Sequence, residues 1–334
     1  MRRTLLILAP VAALLILSAL GLWLLSQKSI PERVVYGMSF NALYAEELGL
    51  DSREVFIAIL DELKVRHLRL AAHWTMVEPE KDAYNWSETD FQLREAQKRQ
   101  ADVIMGVGRR LPRWPECHVP SWAQALSWEE QKREIRQLLT ETVLRYKDNP
   151  AITYWQVENE PFLEVFAKEH CGELDRDFLA EEIALVRSLD ATRPILVTDS
   201  GNLGTWKGAY TAGDVFGTSV YVYFWNPELG QFKTVLPPWF YRAKEGLMAL
   251  FFGEKRTFLI ELSAEPWLLE PIVQVPLDIQ MERMDVKKFE EILEYARKTR
   301  YETQYLWGAE WWYWMRQKGH EEMWERGKRV FLGT

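Results

Sequence analysis

The sequence predicts one (β/α)8 barrel preceded by a single N-terminal transmembrane helix. Three observations predict it: an uncharged apolar run near the start, eight β-rich runs alternating with amphipathic stretches behind it, and no Pro-, Gly- or Ser-rich linker dividing them.

The apolar run is Thr4–Gln27, mostly Leu, Ile, Ala and Val. As a helix it is long enough to span a bilayer, and Arg2 and Arg3 ahead of it favour a cytoplasmic N-terminus. A cleaved secretory signal would look similar, but its apolar region is usually shorter, and Ser18-Ala19-Leu20 is a poor cleavage site. On the favoured anchor reading, residues 1–30 are a cytoplasmic stub and transmembrane signal-anchor; in either case residues 31–334 face an oxidising extracytoplasmic space.

The strands expected in residues 31–334 are Val34–Phe40, Val65–Leu70, Asp102–Val107, Ile152–Val157, Ile195–Thr198, Val215–Tyr223, Thr257–Glu261 and Tyr305–Trp311. Helices fit between them. Asp51 precedes Ser52–Lys64, Ser87 precedes Glu88–Gln100, and Ser127 with Glu130 forms a capping box ahead of the helix running to Tyr146. Further helices fit Asp175–Leu189, Pro238–Phe252, Val286–Arg300 and the stretch after Gly319. A doubly wound open sheet is the other architecture with this alternation, but Gly37-Met38-Ser39-Phe40 is no glycine-rich phosphate loop.

Composition removes several functions. A net charge of −8 with no basic cluster disfavours nucleic acid as a partner. Two cysteines cannot form a four-cysteine metal site, and the five histidines include no His-x-His or His-Glu-x-x-His pair, so no metal or cofactor is expected. No Gly-x-Ser-x-Gly elbow occurs. Sixteen tryptophans point instead to a ligand with flat, weakly polar faces, such as a sugar.

In a (β/α)8 barrel the active site lies at the C-terminal strand ends. The fourth strand runs into Glu158-Asn159-Glu160-Pro161, and the seventh closes its apolar run with Glu261. Glu160 and Glu261 are 101 residues apart, close to three βα units of about 35 residues each. That spacing places two carboxyl groups across the barrel mouth. Glycosidic cleavage needs such a pair, one group to protonate the leaving oxygen and one to attack the anomeric carbon.

Asn159-Glu160-Pro161 with Ile260-Glu261 resembles clan A of the glycoside hydrolases, retaining (β/α)8 enzymes that include the family five cellulases. Val65-Arg66-His67-Leu68-Arg69-Leu70, Trp74 to Pro79, Tyr84-Asn85-Trp86 and Asp90 extend the likeness over about Val34 to Trp314. The resemblance implies Glu160 as acid/base, Glu261 as nucleophile, Asn159 on the sugar 2-hydroxyl and Arg69 beside the nucleophile. It also implies a strand-eight tryptophan under the sugar, either Trp307 or Trp311. Tyr221 and Tyr223 lie two apart on strand six; one phenol is expected to bond Glu261, and the clan pattern favours Tyr223. Trp74, Trp114, Trp206, Trp225 and Trp267 sit in or near βα loops, where stacking on sugars competes with ordinary packing. Glu265 is expected either on substrate hydroxyls or in a salt bridge.

Cys117 follows strand three and Cys171 follows strand four, on neighbouring loops of one face, so a disulfide is expected. The reading is a membrane-anchored retaining β-glycoside hydrolase acting on an oligo- or polysaccharide. A non-catalytic carbohydrate-binding barrel and a transglycosylase using the same glutamates are the alternatives.

Overall fold

The computed structural model describes residues 20, 21, 23, 24, 26, 27, 29–165, 168–172 and 174–333. Most of Thr4–Gln27 therefore lies outside the described residues; among those described, no helix is long and apolar enough to cross a membrane.

Eight parallel strands close a barrel: β1 (Val35–Ser39), β2 (His67–Ala71), β3 (Asp102–Val107), β4 (Ile152–Val157), β5 (Ile195–Asp199), β6 (Val215–Val220), β9 (Thr257–Ser263) and β10 (Thr303–Trp307). Between β6 and β9, an antiparallel hairpin of β7 (Tyr223–Asn226) and β8 (Gly230–Lys233) stands outside the barrel. The main helices behind the strands are Ser52–Asp61, Ser87–Lys98, Trp128–Tyr146, Arg176–Leu189, Trp239–Phe252, Val286–Lys298 and Glu322–Leu332. The Ser127–Glu130 capping box is present, whereas Ser87 lies inside its helix and caps nothing.

Inside the barrel, Ile104, Leu196, Val215, Phe258, Ile260 and Tyr305 form a buried apolar plug. A larger apolar layer packs the outer strand faces against the helices. Above the plug the interior turns polar, and there the site begins.

Two strands end earlier than the sequence suggests. Strand six stops at Val220, so Tyr221 lies past the strand and Tyr223 opens the hairpin. Strand eight spans Thr303–Trp307, because Gly308 takes φ 117° and starts the helix Ala309–Gln317. A Cβ at Gly308 would lie 3.0 Å from Glu265 Cβ, so both the backbone angle and the close approach require glycine.

Candidate active site

The pair is built by departures from regular strand geometry. Along β9, Leu259 faces Thr218 on one side and Gln304 on the other, yet Ser219 pairs with Glu261 and Leu306 with Leu262. Strand β9 thus carries one extra residue against each neighbour. Such a bulge resets the alternation of side chains, so Ile260 stays in the plug while Glu261 also turns inward. Just past strand four, Glu158 and Glu160 both adopt left-handed backbone angles, φ 56° and 42°. Those angles are costly for a non-glycine residue and persist only where the surroundings impose them.

The surroundings here are hydrogen bonds. Glu158 accepts from the backbone N–H groups of Arg109 (2.7 Å) and Arg110 (2.5 Å), and Asn159 N–H donates to the Arg110 carbonyl at 2.6 Å. Gly108, at φ 121°, leaves room for this: a Cβ there would lie 2.2 Å from Glu158 Oε1. Glu158 is thus occupied in joining loop three to strand four. Glu160 N–H donates to Thr198 Oγ1 at 2.8 Å.

Arg69, 2% exposed, rises from β2 into the centre. Its Nη1 donates to Glu261 Oε1 at 2.7 Å, its Nη2 to Asn159 Oδ1 at 2.6 Å and its Nε to Gln156 Oε1 at 2.8 Å. Tyr221 Oη donates to Glu261 Oε2 at 3.0 Å. Both oxygens of Glu261 are therefore held. Asn159 Oδ1 also accepts from Gln156 and Thr198, which leaves its amide nitrogen as the end able to meet a ligand.

Glu160 has the opposite environment. It is 4% exposed, and its Oε1 has no hydrogen-bond partner among the described residues. Burial, then the charges of Glu261 and Glu116, push its carboxyl well above the usual carboxylate range. Glu116 was not foreseen from the sequence. It comes from the loop after β3, pairs with Arg110 Nε at 2.6 Å, and is itself raised by burial.

Other residues complete the mouth. Trp307, at the end of β10, has its ring centroid 6.2 Å from that of Tyr221. Trp267 meets Tyr221 edge-on at 5.3 Å. Arg113, also unforeseen, pairs with Glu265 at 2.7 Å and lies over the Tyr44 ring. The salt bridge expected for Glu265 is formed through Oε1, while its Oε2 has no hydrogen-bond partner among the described residues.

Three expected residues lie elsewhere. Tyr223 donates to Glu291 at 2.5 Å rather than to Glu261, because the chain has left the barrel by then. Trp311 sits on the helix after Gly308, fully buried, and donates to Gln280 Oε1 at 2.8 Å. Trp74 is fully buried and donates to Glu78 Oε2 at 2.8 Å, so neither face is open to a sugar. Among the loop tryptophans, Trp206 is also buried and Trp225 is covered by Arg283, while Trp114 remains 57% exposed.

Cys117 and Cys171 form a disulfide with Cα atoms 5.4 Å apart. The covalent tie joins the loop bearing Glu116 to the loop that follows Glu160. Such a bond indicates an oxidising, extracytoplasmic setting.

No family model and no curated protein matches the chain. Solved structures do. The GH5_18 protein of Bifidobacterium longum subsp. longum aligns with TM-score 0.55 at 13% identity, over 83% of this chain and 70% of that one. Xylanase 10B of Thermotoga petrophila, in complex with xylobiose, aligns with TM-score 0.52 at 13% identity, over 83% and 82%. Endo-glycoceramidase II of a Rhodococcus species, a lactosyl-enzyme intermediate, gives 0.52 at 14%, over 82% and 73%. At these identities the likeness is one of fold: the chain is a closed eight-stranded parallel barrel that matches the glycoside hydrolase barrels of clan A.

Proposed function

We propose that the protein is a retaining β-glycoside hydrolase that cleaves an oligo- or polysaccharide outside the cytoplasm, anchored through Thr4–Gln27. The observation that carries this reading is the contrast between the two glutamates. Glu261 has both oxygens bonded, by Arg69 and Tyr221. Glu160 is buried with an unpartnered oxygen and a raised pKa. Environments that separate two carboxyl groups in this way divide the labour of acid and nucleophile.

In the first step Glu261 attacks the anomeric carbon while Glu160 gives its proton to the departing glycosidic oxygen. The oxocarbenium-like charge develops beside Glu261, and the sugar 2-hydroxyl lies within reach of the Asn159 amide. Trp307 and Trp267 offer apolar faces to the ring. In the second step Glu160, now a carboxylate, takes a proton from water, which attacks and releases Glu261.

The test pairs a substrate screen with covalent trapping. Turnover of at least one aryl β-glycoside is expected, with β-configured product appearing first by proton NMR. A 2-deoxy-2-fluoroglycoside of the same sugar should add its mass to the peptide containing Glu261. An α-configured first product, or a label on another residue, overturns the assignment.

A further inference from the structure

The end of the barrel opposite the glutamates carries an uncovered apolar tip. The helix Trp239–Phe252 finishes in Leu250, Phe251 and Phe252, which are 68%, 68% and 38% exposed. Three consecutive residues cannot share one helix face, so their exposure means that the helix end projects beyond its neighbours. The chain then returns to Thr257, the first residue of β9, which fixes the tip at the N-terminal ends of the strands. Tyr210 Oη donates to Gly253 O at 2.9 Å and Lys255 Nζ to Tyr210 O at 2.6 Å, so the turn beneath the tip is held.

The N-terminal apolar run meets the fold at this same end. Arg300, just ahead of β10, donates Nη1 to Ser26 O at 2.8 Å. The Arg300 carbonyl in turn accepts from Arg242, on the helix that carries the tip. Trp23 and Leu24, three and two residues before Ser26, are 55% and 58% exposed. Basic residues Lys64, Lys147 and Arg256 stand ahead of β2, β4 and β9, interspersed with Asp148 and Glu254. The carboxyl groups of Glu160, Glu261, Glu265 and Glu310 lie at the other end.

We infer that the strand N-terminal end of the barrel rests on the bilayer that Thr4–Gln27 enters, with Leu250, Phe251 and Phe252 dipping into the boundary between headgroups and acyl chains. This rests on reading Thr4–Gln27 as an anchor. An exposed cluster of large apolar side chains costs free energy in water and gains it at that boundary. A second attachment beside the anchor fixes the barrel's tilt, so the catalytic mouth faces away from the lipid.

The test uses the full chain in vesicles of phosphatidylethanolamine and phosphatidylglycerol. Both native cysteines are in the disulfide, so Phe251→Cys and, at the mouth end, Leu203→Cys (53% exposed in the native chain) each offer one thiol for an environment-sensitive fluorophore. The label at position 251 should shift to the blue and be quenched by spin-labelled lipid, while that at 203 keeps its emission in water. Flotation with the vesicles but a water-like label at 251 overturns the docking and leaves the anchor standing. Failure to float overturns both. A blue shift at 251 without quenching by lipid means that a second copy covers the tip, which also overturns the proposal.

Discussion

Arg69 Nη1 lies 2.7 Å from Glu261 Oε1, and the same guanidinium reaches Gln156 on strand four and Asn159 just beyond it. One buried cation therefore spans the barrel interior and sets both the orientation of Glu261 and the rotamer of its neighbour across the mouth. Removal of either partner would leave the other's charge buried without its counter-charge.

Replacing Glu261 by Gln keeps the shape but removes the attacking oxygen. Turnover of an aryl β-glycoside should fall by more than about 10⁴-fold, with sugar binding, read as a ligand-induced thermal shift, largely kept. Wild-type-like rates would remove Glu261 from the chemistry.

Tyr221 and Tyr223 differ in one contact that matters. A hydrogen bond to a charged group contributes about 1.5–3 kcal/mol, so Tyr221→Phe should lower kcat on the order of 10- to 100-fold. Tyr223→Phe, whose partner is Glu291, should stay within about 2-fold. Equal effects in steady-state kinetics would contradict the geometry.

Glu116 contributes one of the negative charges that raise the Glu160 carboxyl. As the proposed general acid Glu160 must hold its proton, so activity should be lost as pH rises through its pKa. Glu116→Gln lowers that pKa, and the alkaline limb of the kcat/KM profile should therefore move to lower pH. A limb that stays in place or moves upward would show that the charge of Glu116 does not act on the acid.

The same raised pKa has a stability cost with a definite sign. Folded Glu160 binds its proton more tightly than the unfolded chain does, so stability falls as pH rises above the ordinary carboxylate pKa of about 4.3. Glu160→Gln removes this penalty. Its melting temperature should exceed that of the wild type at pH 7, and the difference should shrink as pH falls toward 4.

Removing the disulfide with a Cys117→Ser, Cys171→Ser pair should cost on the order of 4 kcal/mol by the chain-entropy model for a separation of 54 residues. Calorimetry should report a melting temperature lower by roughly 5–15 °C. An unchanged transition would place both loops in their native arrangement without the bond.

The barrel was legible because eight β-rich runs alternate with helices at regular intervals, and both glutamates were visible as charges closing apolar runs. The bulge at Ile260 was not, since register depends on two partner strands far away in sequence. Alternation along a strand holds only while the strand lasts. Tyr223 and Trp311 were misplaced for that reason, the one beyond a strand end at Val220 and the other beyond Gly308. Trp74 gave no sign of its burial, because its partner Glu78 lies on the same local turn. Arg113 and Glu116 come from an irregular loop with no period to read, and only the adjacency of Glu116 to Cys117 hinted at its position.

The bond between Cys117 and Cys171 closes a covalent ring that contains the helix Trp128–Tyr146, all of β4 and Glu160 itself. A protease cut anywhere within that ring leaves the two fragments joined through sulfur, with Glu160 on the same linked assembly as Glu261. A cut between Cys171 and Glu261 has no such safeguard: it separates Glu160 and Glu261 onto pieces held only by packing. A nick is thus covalently tolerated on the Glu160 side of the barrel and not on the far side.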